Sequence, residues 1–458
     1  MSNLKTQHGL NRPIKIQIIS RNFPINYASG SNMYVLDFIR YLQKAGCEVG
    51  FVSLDPFPGQ KFPWSFIPNA LATTDKIWIR NNLRIARVLL RFNSLSDWLT
   101  VPLRLVYLYL PKQQKNIYRA VRDAFKRLLQ KQKQQATTTN VHVREWQELL
   151  ATSEEVDFAK TQFYRFKPDI LIVNYVFLAN ILDAFPPNET ALKVILTHDI
   201  FHKRFANFKK IGIFIDAGNW DWQAEAMLLR KAQVVLAIQK EDAYDLKQMA
   251  PESEVICLPK AAEVNNYHNV KQVPGRCFFV GNAVDHNYYG LKWFLEDVWL
   301  RVIELMPNSS LHVCGSVCDL IQGNYPNVRF LGRVNDLKPE YEAAEVCLVP
   351  LLAGSGLKIK LVEAMSYGRA CVSSSVGVQG LGGAVGSAVL VADTPEDFAA
   401  AIHMVLTKTE KRQWMEEQAH KYAIAKLSPQ AAYQPFVDYI HQYLYQFQKK
   451  MKQTRRLG

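Results

Sequence analysis

The sequence predicts an α/β protein of two parallel-sheet, Rossmann-like domains. Three observations carry this: strands alternate with helical stretches along most of the chain, twelve short apolar runs fall into two groups of six, and a polar segment separates the groups. In the first group, residues 14–20, 47–54, 169–174, 192–197, 234–238 and 254–258 have strand length and are nearly continuous in apolar residues, as strands covered on both faces must be. In the second, residues 277–280, 310–314, 328–331, 345–349, 369–373 and 388–392 read the same way. The stretch 260–276, with Asn265, Asn266, Asn269 and Pro274, reads as a linker.

Composition sets outer bounds. A chain of 458 residues, 48% of them hydrophobic, has ample core for two or three domains. The amino terminus lacks the charged start, apolar centre and cleavage site of a signal peptide, so a cytoplasmic location is expected. Seven cysteines sit singly in apolar contexts. Only Cys314 and Cys318 lie close in sequence, without the histidine partner of a zinc spacing, so reduced core thiols are expected.

The richest segment is 350–382. Gly354 and Gly356 follow an apolar strand and permit backbone angles and close approaches that side chains forbid. A helix is predicted from about Leu357 to Tyr367, with Gly368 in the left-handed position that ends it. Its free amides and dipole favour a phosphate. Lys358 and Lys360 add positive charge, Glu363 is placed to accept hydrogen bonds from ribose hydroxyls, and Ser355 is suited to cap the helix start.

Charge gives a second signal. From Lys76 to Lys133 there are fourteen Lys or Arg against two Asp, a difference of twelve in a chain whose formal charge is +14. Arg80, Arg84, Arg87 and Arg91 recur at steps of four, three and four, which predicts one stripe of a basic amphipathic helix, with Trp78, Ile85, Leu89 and Phe92 opposite. Such a helix suits an anionic membrane surface, making these arginines acceptor- or membrane-facing candidates. Leu99–Leu110 is too short and carries Arg104, which argues against a transmembrane span. Ribonucleoprotein, zinc-finger and helix-turn-helix patterns are absent, which argues against a nucleic-acid partner.

Val346-Cys-Leu-Val-Pro350, Gly354-Ser-Gly-Leu-Lys-Ile-Lys360, Glu363-Ala-Met-Ser-Tyr-Gly368 and Val376-Gly-Val-Gln-Gly-Leu381 together resemble the donor-binding region of family-4 retaining glycosyltransferases. Cys277-Phe-Phe-Val-Gly281, Gly290-Leu-Lys-Trp-Phe294 and Val328-Arg-Phe-Leu-Gly332 resemble the opening strands of that family's second domain. Thr197-His-Asp199 resembles the strand-end histidine motif of its first.

The resemblance implies the GT-B arrangement, two Rossmann-like domains facing across a cleft. The expected division is a flexible terminus at 1–13, an acceptor domain at 14–262 with a basic helical insertion at about 60–165, a linker at 263–275, a donor domain at 276–428 and a helix at 429–458 crossing back to the first domain. It implies a nucleotide-sugar donor, a polysaccharide or lipid-linked acceptor, retention of anomeric configuration and no metal or other cofactor. His198 is then expected to face the transferred sugar, Lys358 and Lys360 the diphosphate, Glu363 the ribose, and Gly30, Gly281, Gly354 and Gly356 to let backbone approach the donor. One departure stands out: the family carries a sugar-contacting glutamate eight residues before Glu363, and here that position is Ser355. A nucleotide-sugar epimerase of the same architecture, or an inactive membrane-associated scaffold, are the alternatives.

Overall fold

The computed structural model describes residues 12–22, 30–55, 64–67, 71, 76–80, 82–91, 149–186, 190–210, 220–266, 271–354 and 356–457. The first domain contains β1 (Lys15–Asn22), α1 (Gly30–Lys44), β2 (Glu48–Asp55), β3 (Trp64–Phe66), β4 (Ile77–Ile79), β5 (Asn82–Ile85), β6 (Val88–Arg91) and α2 (Ser153–Phe166). It continues through β7 (Ile170–Asn174), β8 (Leu192–Leu196), α3 (Phe201–Lys210), α4 (Trp222–Leu229), β9 (Val234–Ala237), α5 (Lys240–Met249) and β10 (Glu254–Cys257). The second contains β11 (Arg276–Val280), α6 (Asp285–Trp293), α7 (Trp299–Leu305), β12 (Ser310–Cys314), β13 (Val328–Gly332), α8 (Lys338–Ala343), β14 (Val346–Val349), α9 (Ile359–Ser366), β15 (Cys371–Ser373) and β16 (Val389–Val391). Three helices follow: α10 (Pro395–Thr407), α11 (Thr409–Tyr422) and α12 (Pro429–Leu457).

The strands form a seven-stranded sheet ordered β10-β9-β8-β7-β1-β2-β4 and a six-stranded sheet ordered β13-β12-β11-β14-β15-β16. Every pairing within both is parallel. The twelve predicted runs all lie in these sheets, with ends moved by one or two residues. Their apolar continuity has the expected cause: β7, β9 and β14 are buried at every position.

Strand order fixes where a ligand can sit. In each sheet the order reverses once, between β1 and β7 in the first and between β11 and β14 in the second. Loops leaving the carboxyl ends of strands at such a reversal diverge to opposite faces and leave a crevice. The chain places His198 just beyond β8, Gly281 just beyond β11, and Gly354 and Gly356 beyond β14.

The last helix ties the domains together. In α12, Tyr433 and Phe436 pack on Phe38 of α1 at ring separations of 5.4 and 5.6 Å. Lys260 Nζ donates to Asp37 Oδ2 at 2.6 Å, joining the connecting segment to α1. Burying side chains of this size contributes about 1.5–3 kcal/mol each, so the return of the chain to the first domain is an anchored contact.

The arginine stripe is corrected. Residues 82–91 form an antiparallel hairpin, with Leu83 opposite Leu90 and Ile85 opposite Val88, and β3 pairs with the other edge of β6. Ala86 adopts φ 50° at the turn, which no right-handed helix tolerates. The period-two alternation of Leu83 and Ile85 with Asn82 and Arg84, together with a turn that lets the strands pair, overrides the accidental helical spacing of the arginines. Arg80 packs along β2 and the start of α2, donating to Leu54 O at 3.0 Å and to Glu154 at 3.2 Å. The described beginning of the insertion is therefore β-structured, and Leu99–Leu110 lies outside the described residues.

Candidate active site

The glycine turn after β14 is set by close approach of the two domains. Gly354 and Gly356 have φ of +141° and +69°, and a Cβ on Gly356 would stand 2.6 Å from the carbonyl oxygen of His198. Only a residue without a side chain fits both the angle and the gap. Asn207 of α3 donates to Gly354 O at 3.2 Å, and Gln239, beyond β9, fills the space where a Cβ on Gly380 would fall. The strand-end loops of the first domain thus rest against the turn that precedes α9.

The helix itself is shorter at its start than the sequence predicts. It begins at Ile359 with Lys358 in the capping position and no side-chain cap from it; Ser355, the expected cap, lies outside the described residues. Gly368 follows with φ +62°, in the predicted left-handed position.

Positive groups converge at this helix start from both domains. Lys358 is 6% exposed and its Nζ donates to Gly356 O at 2.7 Å. Lys360 Nζ donates to Asn287 Oδ1 at 2.5 Å and lies 4.4 Å from the centre of the Phe279 ring. Burial pushes the two ammonium groups down to about 8 and about 7, and for Lys360 the charge on Lys358 adds to the effect. His286, in the first turn of α6, is pushed to about 3 by burial and then by Lys360, Lys358 and Arg204. Arg204, on α3 across the cleft, is held by Asp199 at 2.9 Å. A cluster that depresses its own members' charge is one that gains by taking up an anion.

Glu363 lies one turn further along α9. Tyr341 OH donates to its Oε2 at 2.9 Å, and the Tyr341 ring stacks on Tyr367 at 4.8 Å. Burial raises the Glu363 carboxyl above its ordinary value, against the opposing pull of Lys260. Gly281 turns against Asn287, whose Nδ2 donates to Asn282 O, so Gly281 sits beside the residue that holds Lys360. Gly30 opens α1 after the β1 reversal loop.

His198 faces the same cleft. Its ring stacks on Tyr175 at 4.0 Å and meets Tyr34 edge-on at 5.3 Å. Asn174 Nδ2 donates to Ser20 Oγ at 3.0 Å, which turns its Oδ1 toward His198 Nε2 at 2.7 Å. That oxygen only accepts, so Nε2 carries the ring proton. Burial holds the imidazole neutral, near 4, leaving Nδ1 as an acceptor at neutral pH.

Sequence reasoning missed His286, Asn287, Asn174 and Asp242. Asp242, at the start of α5, is 5% exposed, takes a hydrogen bond from Gln239 at 2.7 Å, and burial raises it to about 6. His286 and Asn287 enter the site because they follow β11, the strand at which the second sheet reverses. Arg204, whose charge acts on His286, also belongs to the cleft. Arg84 and Arg87 are exposed on the hairpin, away from this cluster. All seven cysteines are free, and Cys47, Cys277, Cys314, Cys347 and Cys371 are buried. Among the described residues no helix is long and apolar enough to cross a membrane.

The lysine pKa values give a pH prediction. A bound diphosphate favours protonated lysines, and in the free cleft these lose their protons between about 7 and 8. Nucleotide-sugar affinity therefore falls as pH rises from 7 to 9, by about tenfold or more for one such proton, and binding takes up protons in that range. Calorimetry in buffers of different ionisation enthalpy measures both.

Comparison with known proteins agrees with this geometry. Residues 274–408 match the family model "Glycosyl transferases group 1". An uncharacterized 44.6 kDa protein in the cps region of Klebsiella pneumoniae is 25% identical over 225 residues, covering 46% of this chain and 56% of that protein. The chain thus matches little more than half the length of that relative. Among solved structures, sucrose-phosphate synthase of Thermosynechococcus elongatus superposes with TM-score 0.57 at 14% identity, over 96% of this chain and 100% of that one. Anabaena Alr3699/HepE in complex with UDP gives 0.60 at 12%, over 94% and 100%. The pneumococcal O-GlcNAc transferase GtfA in complex with UDP and GlcNAc gives 0.61 at 10%, over 94% and 99%. The chain has the two-domain GT-B fold, and its second domain is similar to the group 1 glycosyltransferases over residues 274–408.

Proposed function

We propose that the protein moves a sugar from a nucleotide-sugar donor onto a polysaccharide, glycolipid or related cell-envelope acceptor, with retention of anomeric configuration. One observation carries the reading: Lys358, Lys360 and Arg204 converge from two domains on the start of α9, where an uncapped helix end adds its own positive potential. Breaking a sugar–phosphate bond leaves negative charge on the diphosphate, and fixed cations in a site screened from water lower that barrier most. Lys358 and Lys360 meet the diphosphate, Glu363 accepts hydrogen bonds from the ribose, and His198 offers Nδ1 to the sugar. Charge neutralisation here needs no metal ion. Closure of the domains brings donor and acceptor together and excludes water.

The choice of donor is supported by two neighbours of the same fold whose structures contain UDP, and the choice of acceptor by the relative in the cps region. Retention follows from the family resemblance. The test is product analysis: with a panel of nucleotide sugars and a cell-envelope extract, one donor should yield nucleoside diphosphate and labelled acceptor in equal amounts. Absence of transfer from every donor rejects the proposal, and the anomeric configuration of the product by NMR decides retention.

A further inference from the structure

The small sheet that replaces the predicted helix has a face of its own. Residues directly opposite in an antiparallel pair share a face, and neighbours along a strand alternate. Leu83 is opposite Leu90, Ile85 opposite Val88, Trp64 opposite Leu90 and Phe66 opposite Val88. All six of these side chains, Trp64, Phe66, Leu83, Ile85, Val88 and Leu90, therefore lie on one face, and all six are apolar. Arg84 and Leu89 belong to the other, where Leu89 is fully buried in the same core as Phe51 and Ile77. The sheet is thus plugged into its domain by one face while the other is left outward: Phe66 is 66% exposed, Ile85 56% and Leu83 49%. A contiguous apolar surface of this kind calls for a partner.

Charge indicates which partner. The hairpin 80–91 carries four arginines and no carboxylate, and Arg87, at the turn that borders the apolar face, is exposed, as is Arg84 on the opposite face. Arg84 Nε is turned to Ala86 O at 3.0 Å, so its side chain lies along the hairpin turn. The basic excess continues in sequence to Lys133. A protein partner for this face would have to be both apolar and acidic; an anionic bilayer presents hydrocarbon beneath a layer of negative charge, which fits both properties at once.

We propose that this three-stranded sheet is a membrane-docking surface, in which the Phe66, Leu83 and Ile85 side chains enter the headgroup–acyl boundary of an anionic leaflet while Arg87 at the turn meets lipid phosphate. It is independent of sugar transfer, and it moves the membrane contact expected from the arginine spacing from a helix to a sheet.

Co-sedimentation of the full-length protein with vesicles tests it, using equal parts phosphatidylglycerol and phosphatidylcholine against phosphatidylcholine alone. Wild type should pellet with the anionic vesicles and be released by high salt. Phe66→Ser/Leu83→Ser/Ile85→Ser and Arg87→Glu should each weaken binding at least tenfold. Because the altered side chains are largely exposed, both variants should keep the wild-type melting temperature; single Phe66→Ser, the most exposed of the three, provides the same test should the triple variant melt early. Vesicle binding unchanged in these variants overturns the proposal, as does absence of wild-type binding. A concentration-dependent dimer that Phe66→Ser/Leu83→Ser/Ile85→Ser dissolves, without vesicle binding, would overturn it in favour of a second copy of this chain.

Discussion

Lys358→Ala is expected to lower turnover by about 10²–10³, the usual loss when one preorganised donor to a developing anion is removed. The size follows from placement. Lys358 Nζ is buried at the mouth of α9 and held by Gly356 O, so its charge is already aimed and requires no rearrangement when the diphosphate departs. Arginine should not restore activity, because the longer planar group does not fit a pocket bounded by the glycine turn and Gln379, which stands 3.5 Å from Nζ. Lys360→Ala should cost less in turnover and more in affinity, since Asn287 holds its ammonium group to one side. Steady-state kinetics with the cognate donor separates the two. Equal turnover in Lys358→Ala and wild type would remove Lys358 from the chemistry.

The second large effect is expected at Gly356. In Gly356→Ala the methyl group would meet His198 O at 2.6 Å, and an alanine at φ +69° adds roughly 1–2 kcal/mol of backbone strain. The domains must part to relieve the clash. A displacement of about 1 Å in the reacting groups can cost about 10² in rate, so turnover should fall by that order while nucleotide binding to the second domain changes little. Gly46→Ala is the control: it has φ +86° with no atom within 4 Å of the added methyl, and so carries strain without a clash between domains. If both variants lose the same activity, strain and not domain approach is responsible.

Much of this was legible in the sequence for identifiable reasons. Parallel strands buried on both faces announce themselves as apolar runs, and twelve of the thirteen strands in the two parallel sheets are legible this way; the three-residue edge strand β4 is lost in the arginine stripe. The glycine turn and Gly368 were legible because backbone angles leave a residue-type signature. What escaped depends on tertiary placement. His286 and Asn287 carry no local signal; they join the site only because β11 lies beside β14 in the sheet. Arg204 becomes a cleft residue because Asp199, five positions earlier, draws it inward. The arginine stripe misled because spacings of four and three fit a helix and, broken at Ala86, a hairpin equally well. Ser355 stands where the family's first glutamate is usual, and Asp242 from the opposite domain brings a carboxylate toward the same lysine.

The start of α9 is expected to hold a nucleoside diphosphate. Calorimetric titration of the full-length protein with UDP, GDP and ADP, for wild type and for Lys358→Ala/Lys360→Ala, tests it most directly. At least one nucleotide should bind wild type at pH 7 with proton uptake, and the double variant should bind it at least tenfold more weakly. Binding of equal strength in both proteins, or of none of the three nucleotides to wild type, would contradict it.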